Sequence, residues 1–147
     1  MKRIGGLWQQ IVSFENLLAS VRAAAAGKRS RPDVARFLMD QELEIVKLQH
    51  ELESESYTPG AYRTFIVSGP KRRLISAAPF RDRVVHHALT RVLEPIFERR
   101  FSRYSFACRK GFGTHKAIAE ARRAAHHYAF VLKCDVSKFF ASMDHDI

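Results

Sequence analysis

The sequence predicts an α+β chain in which helices dominate and strands are few and short. Three observations carry this. Apolar residues recur at helical spacing through most of the first half, two short β-prone runs flank "SGPK" near the middle, and an alternating run, "VLKCDV", lies near the end.

The first element is a helix built on Leu7, Ile11, Phe14, Leu17, Leu18 and Val21, running through the alanines 23–26 to a stop at Gly27. After the basic turn "GKRSRP", residues Val34, Phe37, Leu38, Leu43, Val46, Leu48 and Leu52 predict a second long amphipathic helix, capped at Ser30 or Asp33 and closed by Pro59 and Gly60. "TFIV" and "RLIS" then read as the strands of a β-hairpin with its basic residues near the tip. From 81 to about 101, Val84, Val85, Ala88, Leu89, Val92, Leu93, Ile96 and Phe97 form a broad apolar stripe, in which Pro95 predicts a kink or an early end. "YSFACRKGFGTH" is a loop, Thr114 caps a helix over 114–128, and residues 131–136 form a strand with Asp135 near its end.

Composition narrows the partners. At 147 residues the chain is about one domain, able to bury roughly 70% of its unfolded surface. Its 46% hydrophobic content opposes wholesale disorder, and 25 Lys and Arg against 15 Asp and Glu give a net charge of +10. A pI near 10.1 points to a polyanionic partner, nucleic acid in the first place. No apolar run approaches a membrane span, and the start "MKRIGGLWQQIVSFENLL" lacks a signal peptide's apolar core, so a cytoplasmic location without a membrane partner is expected. Cys108 and Cys134 are too few and too badly spaced for a zinc cluster and read as reduced packing residues. The pairs His86-His87 and His126-His127 do not chelate one ion, because neighbours on a helix point about 100° apart.

Three stretches in order, "PKRRLISAAPFRDRVVHHAL", "LEPIFERRFSRYSFACRKGFGTHKAI" and "LKCDVSKFFASMDHDI", carry a family resemblance over nearly the whole chain. The chain resembles the reverse transcriptases of the bacterial group II intron-like family, and its opening helices look like the branch found in diversity-generating retroelements. The resemblance implies a right-hand polymerase, RNA-directed and DNA-making. Residues 1–128 would be N-terminal helices and fingers, with the hairpin among them, and 129–147 the first, incomplete part of the palm.

Site residues follow from the same resemblance. Asp135 matches the first catalytic aspartate, a ligand for two Mg²⁺ ions in the complete enzyme, and the backbone carbonyl of Val136 supports the nucleotide-side ion. Phe140 matches the aromatic beneath the nucleotide sugar, with core packing equally open. Lys71 and Arg73 suit the triphosphate, since lysine is a mobile point charge and arginine a bidentate clamp; Arg72 can exchange roles with either neighbour. Arg109 is expected near the templating strand and incoming nucleotide, while Arg72, Arg81, Lys110 and Lys116 are expected on nucleic acid. Arg83 reads as structural, and Asp82 as an ion-pairing residue at the helix start. Tyr62, Phe65 and Phe112 are candidates for base stacking, Phe65 more simply for packing. "ACRKGFGTH" suggests a phosphate cradle without being a P-loop. His145 matches an Asp-His pair in which Asp144 caps a helix, and Asp146 has no assigned role. Partners would be an RNA template, a DNA primer and deoxynucleoside triphosphates.

The Tyr-x-Asp-Asp hairpin that would bring the remaining palm carboxylates does not occur in these residues. The chain is therefore expected to be a truncated reading frame, inactive by itself. A rival reading is a non-catalytic basic nucleic-acid-binding remnant, which needs the charge and not Asp135. A phospho-accepting receiver domain is contradicted by the helical, basic N-terminus.

Overall fold

The structure is a computed structural model that describes residues 3–144. The chain divides into two compact units, Met1–Arg100 and Phe101–Ile147. His145 and Asp146 lie outside the described residues.

The first unit contains helices α1 (Leu7–Val12), α2 (Phe14–Ala25), α3 (Pro32–Met39) and α4 (Gln41–Glu53), strands β1 (Arg63–Val67) and β2 (Arg73–Ala77), and helix α5 (Phe80–Glu98). The single helix expected up to Gly27 is two, because Ser13 leaves helical geometry at φ −60° and ψ 143° and its hydroxyl accepts from the Asn16 N–H. That is N-cap chemistry, and it starts α2. Gly27, at φ +67°, ends it as expected. The second expected helix is also broken, at Asp40, whose φ of −115° separates α3 from α4. Pro32 stands in the first turn of α3, where a missing N–H costs nothing, so Arg31 is the cap residue rather than Ser30 or Asp33. Pro95 removes one helical hydrogen bond, yet α5 runs on to Glu98.

α2 and α5 make the largest helix contact, with α4 and α3 closing over them. Leu17, Val21, Val34, Ile45, Leu48, Val84 and Ala88 are fully buried. Each large aliphatic among them contributes about 1.5–3 kcal/mol of transfer free energy. Phe37 meets Phe80 edge to face, 5.1 Å between centroids. Asn16 rivets three helices: its Nδ2 donates to the carbonyls of Ile11 and Ala88, and its Oδ1 accepts from Arg91 Nε.

The hairpin is antiparallel, with Phe65 opposite Ile75 and Val67 opposite Arg73. Arg63, Phe65, Val67, Arg73, Ile75 and Ala77 therefore share one face, Thr64, Ile66, Leu74 and Ser76 the other. Both faces stand open, since Ile66 and Leu74 are exposed as well as Phe65 and Val67.

The second unit holds helix α6 (Thr114–Ala125) and a 3-10 turn at Phe139–Ser142. Gly113, at φ +106°, is the cap residue of α6, and Thr114 is its first helical residue without a capping bond, contrary to expectation. The strand expected at 131–136 does not form: those residues are non-regular, and Leu132 is 87% exposed. An alternating pattern becomes a strand only when a neighbour accepts its backbone hydrogen bonds, and no segment pairs with it among the described residues. Among the described residues no helix is long and apolar enough to cross a membrane.

Candidate nucleic-acid interface

The hairpin register settles where its basic residues sit. Arg73 is on β2, on the face of Phe65 and Arg63, whereas Lys71 and Arg72 belong to the connection 68–72. All three are exposed, and no carboxylate pairs with them among the described residues. Two cations in the connection and a third at the start of β2 make a charged tip with no carboxylate partner among the described residues.

Where the hairpin meets the helices, a cleft of about 570 Å³ is lined by Arg31, Asp33, Arg63, Ala77, Pro79 and Arg83, among others. Arg83 Nη2 donates to Asp33 Oδ2 at 3.1 Å and its guanidinium lies over Phe80, which gives this arginine the structural role expected of it. Arg81, expected on nucleic acid, pairs with Glu51 and stacks over Tyr57, so its charge is engaged inside the first unit. Asp82 is buried rather than ion-paired. It accepts from Tyr57 Oη at 2.7 Å and from the Gly60 N–H at 2.9 Å. Burial, and then the hydrogen bond to that carboxylate, push the Tyr57 phenol well above its ordinary range. This clasp fixes the segment that leads into β1. Its one visible signal was an acid in the first turn of α5.

In the second unit the glycine loop is organised around Arg109. Its Nη1 donates to the carbonyls of Ser102 and Ser105 at 2.9 and 2.8 Å, and its guanidinium covers Phe112 at 4.0 Å and Phe101 at 5.2 Å. Lys116 Nζ lies 5.1 Å from the Phe112 ring, and Lys110 is exposed. The Phe112 and Gly113 N–H groups donate to Arg109 O and Phe106 O, so two of the amides of the suggested cradle are already used.

Asp135 is exposed and borders a hollow of about 510 Å³ with Cys134, Val136 and Phe139. Phe140 stands edge to face with Phe139, 5.4 Å between centroids, and is otherwise open to solvent. Among the described residues no three His, Cys, Asp or Glu side chains gather to hold a metal. One carboxylate and one carbonyl are too few donors for a two-ion site. Sequence reasoning missed Arg31 and Arg63, which are distant in sequence and meet only at the cleft.

No protein-family model matches the chain. It is similar to Nuclear intron maturase 1, mitochondrial, of Arabidopsis thaliana, 40% identical over 81 residues, which is 54% of this chain and 11% of the relative. It is also similar to Nuclear intron maturase 2, mitochondrial, of the same plant, 44% identical over 59 residues, 40% of this chain and 8% of the relative. A Putative COX1/OXI3 intron 1 protein of Saccharomyces cerevisiae is 27% identical over 103 residues, 69% of this chain and 12% of that protein. Two of these names say mitochondrial, and none speaks for the cytoplasm or for the retroelement branch. The chain is thus similar in sequence to intron maturases, over a stretch that spans about a tenth of their length.

Proposed function

We propose that this chain is the RNA-gripping fingers segment of an intron-maturase-like protein of the reverse transcriptase type. The observation that carries the reading is the exposed, uncompensated tip of Lys71, Arg72 and Arg73 on a protruding hairpin. A net charge of +10 and the similarity to two intron maturases support it. Such a tip approaches a phosphate backbone by releasing condensed counterions, so the binding is salt-dependent.

Polymerisation belongs, in this reading, to a longer protein and not to the chain alone. There Asp135 and the Val136 carbonyl are candidate Mg²⁺ ligands, Lys71, Arg73 and Arg109 candidate nucleotide contacts, and Phe140 a candidate support for the sugar, with an RNA template, a DNA primer and deoxynucleoside triphosphates as partners. The donor set present here builds no two-ion site, and no chemical step is derived from it.

The test is RNA binding by the purified chain across a salt series. Changing Lys71, Arg72 and Arg73 together to glutamine is expected to flatten the dependence of log Kd on log salt by about 2, at about 0.7 per lost phosphate contact. Asp135→Ala should leave binding unchanged, and the chain should extend no primer. An unaltered slope in the triple variant removes the tip from the interface, and primer extension abolished by Asp135→Ala overturns the division between binding and catalysis.

A further inference from the structure

The cleft at the base of the hairpin is distinct from the tip. Its charged lining consists of Arg31, Arg63, Arg83 and a single carboxylate, Asp33. Asp33 is engaged by Arg83, which leaves Arg31 and Arg63 without an anionic partner among the described residues. Arg83 is itself incompletely satisfied, because its buried Nε has no hydrogen-bond acceptor.

Two helices begin at this cleft. Arg31, Pro32 and Asp33 open α3, Pro79 precedes α5, and neither start carries a side-chain cap. Helix starts carry partial positive charge, which adds to that of the guanidinium groups. The remaining walls, Ala61, Ala77 and Ala78, are small, and the volume of about 570 Å³ exceeds that of one phosphate with its sugar.

We propose that this cleft binds a phosphodiester group of a single-stranded RNA, with Arg31 and Arg63 as its principal ligands and Arg83 as a third. The inference rests on the RNA-binding reading above and adds a second contact point, so that one strand would touch both the tip and the base of the hairpin.

The decisive variant is Arg31→Gln with Arg63→Gln in the full chain. Neither residue is ion-paired among the described residues, and Arg63 only overlies Phe65, so folding should survive and is checked by circular dichroism. A charge-matched control changes the exposed Arg29 and Arg36, which do not line the cleft, to glutamine. With a labelled single-stranded RNA oligonucleotide, the cleft variant should lower the salt slope by about 0.7, a weakening of about fivefold in 0.1 M salt, and the control should change it less. Equal effects of the two variants overturn the site in favour of diffuse charge. In parallel, inorganic phosphate is titrated into the unmodified chain while the arginine Nε–Hε signals are followed by NMR. If that chain binds no RNA but phosphate shifts the cleft arginines, the RNA-binding reading and the RNA ligand both fail and the cleft is a free-anion site. If RNA binds and the cleft variant matches the unmodified chain, this inference alone fails.

Discussion

Replacing Asp82 by alanine removes two hydrogen bonds to a buried carboxylate, from Tyr57 Oη and the Gly60 N–H. Hydrogen bonds to charged groups contribute about 1.5–3 kcal/mol each, which sets a ceiling near 6 kcal/mol for the pair. Relief from burying a carboxylate offsets part of that loss, and a net destabilisation of about 3 kcal/mol is expected. Trp8 reports on the right unit, since it is the chain's single tryptophan and borders the same hollow as Tyr57. With a urea slope of about 1.5 kcal/mol/M, the fluorescence midpoint should fall by about 2 M. Asp82→Asn should cost only about 1 kcal/mol, because the amide oxygen can still accept from Gly60 while its NH₂ donates to the Tyr57 oxygen. Tyr57→Phe and Asp82→Ala should be non-additive by about 1–2 kcal/mol in a double-mutant cycle. An Asp82→Ala midpoint within 0.5 M of the unmodified chain, to about that precision, or an additive cycle would refute the clasp.

Two further outcomes are expected. Burial, and then the nearby Lys28 charge, lower the pKa of His87 from its ordinary 6.5, so the unfolded chain takes up a proton that the fold resists. Stability should therefore fall as pH drops below about 6.5 and level off beneath the folded pKa, and His87→Gln should flatten that dependence in urea titrations between pH 5 and 8, a range set by histidine's usual titration. Asn16→Ala strips the acceptor of Arg91 Nε and the donor to the Ile11 and Ala88 carbonyls, and should cost about 2–3 kcal/mol by the same Trp8 readout.

The helices and the hairpin were legible because each is a local pattern: the stripe from Val84 to Phe97, the stop at Gly27, and "SGPK" between two β-prone runs. The breaks at Ser13 and Asp40 were not, since apolar spacing continues across both and only backbone angles reveal them. The alternation at 131–136 misled for a different reason: alternation records suitability for a sheet, and the sheet itself is a non-local partner. Lys71, Arg72 and Arg73 announced themselves as a cluster in sequence, whereas Arg31, Arg63 and Arg83 converge only when α3, the hairpin and α5 meet. Arg81 pairs with Glu51 and stacks over Tyr57, contacts that its motif did not announce.

The hairpin's openness on both faces has a mechanical consequence. A ribbon of five residue pairs, with no third strand beside it among the described residues, resists bending far less than the packed helices from which it springs. The tip is then a charged end on a compliant arm anchored at a stiff root, where Asp82 and Gly60 hold the incoming chain. Such an arm can follow the wandering path of a single strand without disturbing the helical core, so the amides of β1 and β2 should exchange with solvent far sooner than those of α2.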